Sequence, residues 1–180
     1  MTVRTVGHGT LPAETFASLL DGAHIGRVVD VRSFPSSRRN PQFGREEMER
    51  WVPAAGIGYV WIPELGGRRR PAANSKHVAL RHDAFRGYAD YMETPAFLTG
   101  VEELLKLTDR ESIAVMCSET LWWRCHRRLL ADHLLLVRGI EVVHLMHDGR
   151  LTPHAPTEGV RVTDSSLVYD VGITEPLFVD

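Results

Sequence analysis

The sequence predicts a single α/β domain in three layers, with a mainly parallel sheet flanked by helices. The chain has 180 residues, of which 43% are hydrophobic, and this is enough for one domain with a sizeable core. Short runs rich in Val and Ile alternate along the chain with segments whose apolar residues recur at helical spacing. Strands that alternate with helices form parallel sheets with right-handed crossovers.

Each element has its own local signal. The strands are short apolar runs, and each predicted helix has apolar residues three or four apart, a proline suited to its first turn, or a glycine at its end. We predict strands over residues 3–6, 27–31, 59–65, 112–117 and 140–145. We predict helices over 14–20 with Thr10 as the N-cap, over 46–56 up to Pro53 and Gly56, from Thr94 and Pro95 through Leu105, and from Thr120 or Leu121 to Gly139.

The pattern weakens towards the C-terminus. We expect the α/β domain to comprise residues 1–155 and residues 156–180 to form an extension. Within the extension, "LVYDV" is a candidate late edge strand and the residues that follow are expected to form an acidic tail.

Composition and charge narrow the class of protein. Lys and Arg number 21 against 23 for Asp and Glu, so no global basic field attracts nucleic acid. We find no signal peptide and no run of about 20 apolar residues, so no membrane association is expected. Two cysteines form no disulfide framework, and a cytoplasmic location is expected. Two loops, 31–45 and 66–82, are nevertheless locally basic.

The residues with the most distinctive chemistry follow the predicted strands. In an open parallel sheet, ligands bind beyond the carboxyl ends of the strands, so these residues are expected to lie at one edge of the sheet. They are His8, then Arg32 and Ser33 with Arg38 and Arg39, then Gly66, Gly67 and Arg68, and finally Cys117 and Glu119.

The segment "CSETLWWRCHRR" holds both cysteines. If Cys125 and His126 lie on the helical stripe that faces the sheet, Cys125 is a small buried hydrophobe and His126 a core histidine. Cys117 is either the last buried residue of its strand or a nucleophile whose pKa the following helix N-terminus lowers and Glu119 raises. On the other faces of the helix, Arg124 and Arg127 are expected to reach the strand-end crevice.

A metal site of Cys117, Cys125 and His126, with help from Glu119, is a weaker alternative. The two cysteines are separated by seven residues, unlike the usual zinc spacing, and neighbouring helix positions diverge by about 100°. The templates of rhodanese-type sulfurtransferases and of cysteine-dependent phosphatases fit poorly. Neither a dinucleotide-binding glycine motif nor a P-loop is present.

The motifs "TVGHGT", "VVDVRSFPSSRRNPQF", "YVWIPELGGRRR", "FRGYADYM", "VMCSETLWWRCHRRLLAD" and "VVHLMHDGRLTPH" occur in an order that resembles the domain-of-unknown-function 488 (DUF488) family. The resemblance implies a compact α/β protein. It implies no particular reaction, because the function of the family is unknown. Carried over position by position, the family signature falls on His8, Asp30, Arg32, Ser33, Arg38, Phe43, Gly66, Gly67, Tyr88, Cys117, Glu119, Cys125, His126 and Arg127.

Three functions of different class follow as hypotheses. The first is an enzyme, a hydrolase or a transferase, acting on a phosphate-bearing ligand, either a nucleotide or a nucleic acid. The second is a non-catalytic nucleic-acid-binding module, and the third a sulfur-transfer or metal-binding protein using Cys117. The sequence implies no cofactor and leaves open whether another protein is a partner.

In the first hypothesis, guanidinium groups hold phosphate oxygens, glycines allow close approach of the backbone, and aromatic rings stack a base. Asp30 is expected to pair with Arg32 rather than to act in catalysis. The candidate catalytic residues are Glu119, Cys117 and His8. The candidate ligand-binding residues are Arg32, Ser33, Arg38, Arg39, Gly66, Gly67, Arg68, Tyr88, Arg124 and Arg127, with Trp61, Trp122 and Trp123 as further stacking candidates.

Overall fold

The computed structural model describes residues 1–36, 38–164 and 166–172. Within them, five α-helices and a six-stranded main sheet form the body of the protein. The main sheet contains β1 (Thr2–Gly7), β2 (Arg27–Asp30), β3 (Gly58–Trp61), β4 (Ile113–Cys117), β5 (Glu141–Leu145) and β6 (Leu151–Pro153). The helices are α1 (Ala13–Gly22), α2 (Arg45–Ala54), α3 (Asp83–Tyr91), α4 (Pro95–Thr108) and α5 (Arg127–Leu136).

The strand order of the main sheet is β3-β2-β4-β1-β5-β6. The first five strands in this order are parallel to one another, and only β6 is antiparallel, pairing with β5. The predicted α/β class and the mainly parallel sheet are therefore confirmed. This order places β4 and β1 at the centre, so the residues that follow them meet in the middle of one sheet edge.

Side chains of the central strands alternate between two hydrophobic cores, one on each face of the sheet. On β4, Ile113 and Val115 pack in the core that contains α3, α4 and α5, whereas Ala114 and Met116 pack in the core that contains α1 and α2. Because both faces are covered, the strand is apolar throughout rather than alternating with polar residues. This explains why "IAVMC" is a continuous apolar run in the sequence.

The first residues of α4 agree with the prediction from the sequence, and those of α1 do not. Thr94 caps α4 as expected, since its side chain accepts a hydrogen bond from the backbone N–H of Phe97. The prediction for Thr10 is wrong, because the N-cap position of α1 is occupied by Pro12 and no side chain caps the helix there. The chain turns after β1, with the N–H of Leu11 bonded to the carbonyl of His8, and this turn separates Thr10 from the helix.

The predicted helix after β4 begins later than expected. In place of a helix from Thr120 or Leu121, a 3₁₀ turn spans Trp122–Arg124 and Cys125 is extended, with φ −122 and ψ 151. The α-helix starts at Arg127. The ring of Trp122 stacks at 4.0 Å on an imidazole of β5, and this tertiary contact fixes the turn where local periodicity alone favours a helix.

A second, two-stranded antiparallel sheet follows the main one, formed by β7 (Val160–Thr163) and β8 (Ser166–Tyr169). The candidate edge strand "LVYDV" is therefore strand β8 in part, but it pairs with β7 and does not extend the main sheet. Tyr169 is buried in the core that contains α3, α4 and α5. The expected acidic tail lies, from residue 173 onward, outside the described residues. None of the described helices has the length and apolarity needed to cross a membrane.

Candidate functional site

An open cleft of about 1510 Å³ lies at the carboxyl ends of β1, β2 and β4. The register of the sheet explains its position, because Gly7 at the end of β1 lies opposite Cys117 at the end of β4. The residues after these strands consequently meet. Of the residues predicted from the sequence, the cleft is lined by His8, Arg32, Ser33, Gly67, Arg68, Cys117, Glu119, Arg124, Cys125 and His126.

Other predicted residues lie elsewhere. Arg38 and Arg39 are exposed on the loop after β2, outside the cleft lining. Gly66 is buried, and a Cβ at this position would lie 2.4 Å from the hydroxyl of Ser33, so the glycine is needed for packing within the protein. Tyr88 is fully buried and its hydroxyl donates to the carbonyl of Leu65, so it supports the cleft from behind.

Arg32 is held in place by two neighbours. Its Nε and Nη2 atoms donate to the two carboxylate oxygens of Asp30 at 2.8 and 2.5 Å, which confirms the predicted pairing. Its Nη1 atom lies 3.3 Å from Nε2 of His8. Asp30 is fully buried, so a charge-assisted, bidentate pair forms the floor of the cleft and neutralises the arginine.

The environment of His8 keeps its imidazole neutral. Burial and then the charge of Arg32 lower the pKa of His8 to about 4. The Nδ1 atom is 2.8 Å from the carbonyl of Gly9, so Nδ1 carries the proton and Nε2 accepts from Arg32. The ring also stacks on Phe43 at 4.1 Å. With both ring nitrogens engaged, His8 orients Arg32 rather than serving as a free base.

The two thiols and an imidazole converge beside this floor. The Nδ1 atom of His126 lies 3.6 Å from Sγ of Cys125 and 3.9 Å from Sγ of Cys117. These three ligand atoms all lie within 4.8 Å of one another. The objection to joint ligation by neighbouring helix positions is therefore wrong, since the extended backbone of Cys125 directs both side chains to the same place.

The thiolate of this pair belongs to Cys125 rather than to Cys117. A hydrogen bond to Cys125, together with burial, raises the pKa of Cys117 well above its usual value. Burial alone would raise the pKa of Cys125, but the hydrogen bond from Cys117 and the neighbouring His126 and Arg127 lower it well below that value. The expected lowering of the Cys117 pKa by a helix N-terminus is wrong, because α5 begins only at Arg127.

Arg127 contacts the cysteine pair from inside the protein rather than from the cleft. It is 1% exposed, and its Nε atom lies 3.4 Å from Sγ of Cys125. Its Nη2 atom donates to the backbone carbonyl of Glu119. A Cβ at Gly7 would lie 2.8 Å from the same Nη2 atom, so β1 passes directly beside the guanidinium. Arg127 thus positions the site and does not reach a ligand.

A buried chain of hydrogen bonds holds Arg127. Its Nη1 atom lies 3.4 Å from the hydroxyl of Thr5, which bonds to Nδ1 of His144 at 2.7 Å. The Nε2 atom of His144 lies 3.0 Å from Nδ1 of His154, whose Nε2 lies 2.9 Å from the carboxylate of Asp132. Because a carboxylate only accepts, every proton in this chain points towards Asp132.

Glu119 is exposed at the rim of the cleft. Within the described part of the chain, no ion pair involves its carboxylate. Its backbone carbonyl accepts from Arg127, as described above, so the main chain at Glu119 is held in place.

Of the aromatic stacking candidates Tyr88, Trp61, Trp122 and Trp123, the one that lines the cleft is Trp123. Trp61 donates its indole N–H to a backbone carbonyl, Trp122 stacks inside the protein, and Tyr88 is buried. Trp123 and Phe34 are 42% and 68% exposed and both line the cleft. Phe34 was missed, although its position directly after "DVRS" in a basic loop was a usable signal.

Two arginines of the cleft were also missed. Arg81 and Arg128 line it together with Arg68 and Arg124. Within the described residues, none of these four takes part in an ion pair. The acids that line the same cleft are Glu119 and Glu158, so its wall carries an excess of positive charge. The sequence alone did not show this excess, because the four residues come from two segments that are distant in the chain, the loop 66–82 and residues 124–128.

Comparison with known proteins agrees with the resemblance drawn from the motifs. No curated protein and no solved structure matches the chain. The family model described as "Domain of unknown function DUF488" matches residues 12–134, more than half of the chain. The match includes β2, β3, β4 and most of the cleft-lining loops, although β1 and His8 precede it. The chain belongs to the DUF488 family.

Proposed function

We propose that this protein is an enzyme acting on a phosphate-bearing ligand, a nucleotide or a nucleic acid, bound in the strand-end cleft. The observation that carries the proposal is the wall of four arginines without ion-pair partners among the described residues, namely Arg68, Arg81, Arg124 and Arg128. Guanidinium groups are weakly hydrated and match phosphate oxygens in geometry, so an unpaired set of them in one concave surface favours an anionic ligand.

The proposed ligand has an aromatic part as well as a charged one. Phe34 and Trp123 are exposed aromatic residues in the same cleft. The guanidinium of Arg68 lies 5.8 Å from the ring centre of Phe34, so an anion and a stacked base can be held side by side. This combination supports a nucleotide unit over inorganic phosphate or a sugar phosphate.

In the proposed reaction, Glu119 acts as the general acid or base. It is the exposed carboxylate nearest to the strand-end residues, following Cys117 and Ser118 at the end of β4. Arg32 and His8 form a neutral, rigid floor, because Asp30 compensates the charge of the arginine. A hydrolysis or a group transfer at the phosphate fits this arrangement.

Measuring turnover by the wild-type protein and by one variant tests whether the protein is an enzyme in which Glu119 transfers a proton. The reduced protein is incubated with nucleoside mono-, di- and triphosphates and with short oligonucleotides, and products are separated by chromatography. Glu119→Gln should abolish turnover and retain ligand binding, because it removes the proton-transfer group and keeps the shape of the side chain. Equal turnover by the variant would remove Glu119 from the mechanism.

A non-catalytic nucleic-acid-binding module is the second candidate function. The exposure of Phe34 and Trp123 beside the arginines favours it, since single strands bind through stacking and backbone contacts. This candidate predicts binding that falls steeply with salt and no product from any substrate. Binding of oligonucleotides without turnover, unaffected by Glu119→Gln, would support it over the enzyme.

A further inference from the structure

We propose that Cys117, Cys125 and His126 form a binding site for a thiophilic divalent cation, Zn²⁺ in the first place. The inference goes beyond the proposed function and does not depend on it, because metal binding is measured on the protein without any ligand. Among the described residues, this group brings two sulfurs and an imidazole nitrogen together within 4.8 Å. Thiolate and imidazole ligands favour zinc over Mg²⁺ and Ca²⁺, which prefer oxygen.

The distances match those of a tetrahedral site. Zinc lies about 2.3 Å from sulfur and about 2.0–2.1 Å from nitrogen, which separates sulfur from nitrogen by about 3.5 Å and two sulfurs by about 3.8 Å. The observed separations from Nδ1 of His126 are 3.6 Å to Cys125 and 3.9 Å to Cys117. Small side-chain rotations suffice to complete the geometry, so the backbone already holds the ligand set in place.

The three ligands lie where a strand ends and where a helix begins. Cys117 ends the central strand β4, Cys125 is extended, and His126 occupies the N-cap position of α5. The imidazole is confined by the loop after β3, because a Cβ at Gly67 would lie 2.4 Å from its ring. The ring of Tyr88 also contacts it in a T-shaped arrangement, with the ring centres 5.0 Å apart. A confined ring is a preorganised ligand.

The polar contacts of His126 point to the sulfurs. Its Nε2 atom is buried and has no hydrogen-bond partner among the described residues. Buried ring nitrogens normally have a hydrogen-bond partner. Because Nε2 has none in the described part of the chain, the polar contacts of this imidazole are those made by its Nδ1 atom. Those contacts are the two sulfurs, which are weak hydrogen-bond partners and strong ligands of zinc.

The local charge and exposure also suit the ion. Both sulfurs bind Zn²⁺ as thiolates, any thiol proton still present is released to solvent, and the two negative charges neutralise the ion. The guanidinium of Arg127, 3.4 Å from Sγ of Cys125, then donates to a ligating sulfur from the side away from the cleft. All three ligand residues line the cleft, so the fourth position of the metal faces it and accepts water or a ligand oxygen, as in catalytic zinc sites.

Cobalt substitution tests the site directly. The protein is purified under reducing, metal-free conditions and titrated with Co²⁺, whose tetrahedral thiolate complexes show intense charge-transfer absorption. We expect one Co²⁺ per chain, a thiolate-to-cobalt band, and displacement of the cobalt by Zn²⁺. Failure of the folded, reduced protein to bind Co²⁺, or binding without the thiolate band, would overturn the proposal.

Variants assign the ligands. We expect Co²⁺ binding to be weakened by more than about tenfold in each of Cys117→Ser, Cys125→Ser and His126→Gln. Loss of a residue that only hydrogen-bonds to a metal ligand already weakens metal binding by about tenfold or more, and loss of a ligand should cost at least as much. His24→Asn, at an exposed histidine far along the chain, should leave it unchanged. His126→Gln is the variant of choice if the cysteine variants fold poorly, because its side chain is only partly buried. Unchanged affinity in His126→Gln and in both serine variants would place the metal elsewhere and refute the site.

Discussion

The Nε atom of Arg127 lies 3.4 Å from the Sγ atom of Cys125. A cation that is 1% exposed thus contacts a buried sulfur beside the floor of the cleft. Three buried side chains, Thr5, His144 and His154, connect this cation to Asp132 through hydrogen bonds. The core of the domain therefore determines the electrostatics of the cysteine pair.

Replacement of Arg127 should raise the pKa of the reactive thiol. In Arg127→Gln the hydrogen bond from a charged donor is lost, and such a bond contributes about 1.5–3 kcal/mol, equivalent to about one to two pKa units. The rate of alkylation of the reduced, metal-free protein as a function of pH measures this value. Arg124→Gln, in the same cleft, is the matched control and should leave it unchanged. Equal profiles for wild type and Arg127→Gln would contradict the assignment of the thiolate to Cys125.

Acid should destabilise the protein through its buried histidines. Burial, followed by the charge of Arg138, lowers the pKa of His133 to about 4, and burial followed by His154 lowers that of His144 to about 3. The unfolded chain binds these protons near pH 6.5, so their contribution to stability is complete above that value and is lost as the pH falls towards 4 and 3. Each histidine adds a slope of up to about 1.4 kcal/mol per pH unit in this window.

Denaturant unfolding at several pH values between 7 and 4.5 tests this pH dependence. His133→Leu removes one titrating group whose Nε2 atom is buried without a partner among the described residues. The variant should therefore be no less stable than wild type at pH 7 and should show a shallower loss of stability in acid. A slope as steep as that of wild type would show that His133 does not titrate between the folded and unfolded states.

Gly7 should not tolerate a side chain. A Cβ at this position would lie 1.9 Å from the carbonyl oxygen of Glu119, and backbone atoms of central strands cannot easily move. Gly7→Ala should cost at least about 1–3 kcal/mol in the free energy of unfolding, as overpacked cores do. Gly22→Ala is the control, since a Cβ at Gly22 has no neighbour within 4 Å and should stabilise the protein by about 0.4–1 kcal/mol. Equal effects of the two substitutions would refute the close packing around Gly7.

The exposed aromatic rings of the cleft should contribute to ligand binding. Phe34→Ala and Trp123→Ala should each weaken binding of a nucleotide or a short single strand by about 1–3 kcal/mol per stacked base. Leu98→Ala changes a side chain on α4 that is 42% exposed, as Trp123 is, and should have no effect. Fluorescence titration gives the dissociation constants. Unchanged affinity in both aromatic variants would mean that the ligand does not stack there.

Much of the fold followed from local patterns. The strands of the parallel sheet were predictable because they are apolar on both faces, and the start of α4 because Thr94 and Pro95 carry a local signal. The start of α5 was not predictable, since Trp122 is fixed by an imidazole distant in the sequence. Helical periodicity continues through "LWWRCH" and gives no sign of that contact.

The candidate site was predictable only in part. The rule for strand ends placed His8, Arg32 and Cys117 correctly at one edge, because parallel topology determines where strands end. It could not show that Tyr88 and Arg127 are buried, as burial depends on the packing of whole elements. Nor could it reveal the wall of arginines, since Arg81 lies near the end of a basic loop and Arg128 on helix α5, and the packing of these elements brings both to the cleft.

The central claim is that the arginines of the cleft bind a phosphate-bearing ligand. The most direct test is a calorimetric titration of the reduced protein with nucleotides and short oligonucleotides. Wild type is compared with Arg68→Ala/Arg124→Ala and with Arg150→Ala, a surface arginine paired with Asp148 outside the cleft. We predict that a phosphate-bearing ligand binds wild type and Arg150→Ala equally and binds the double variant at least about tenfold more weakly. Binding that is unaffected by the double substitution, or no binding of any phosphate-bearing ligand to wild type, would contradict the account.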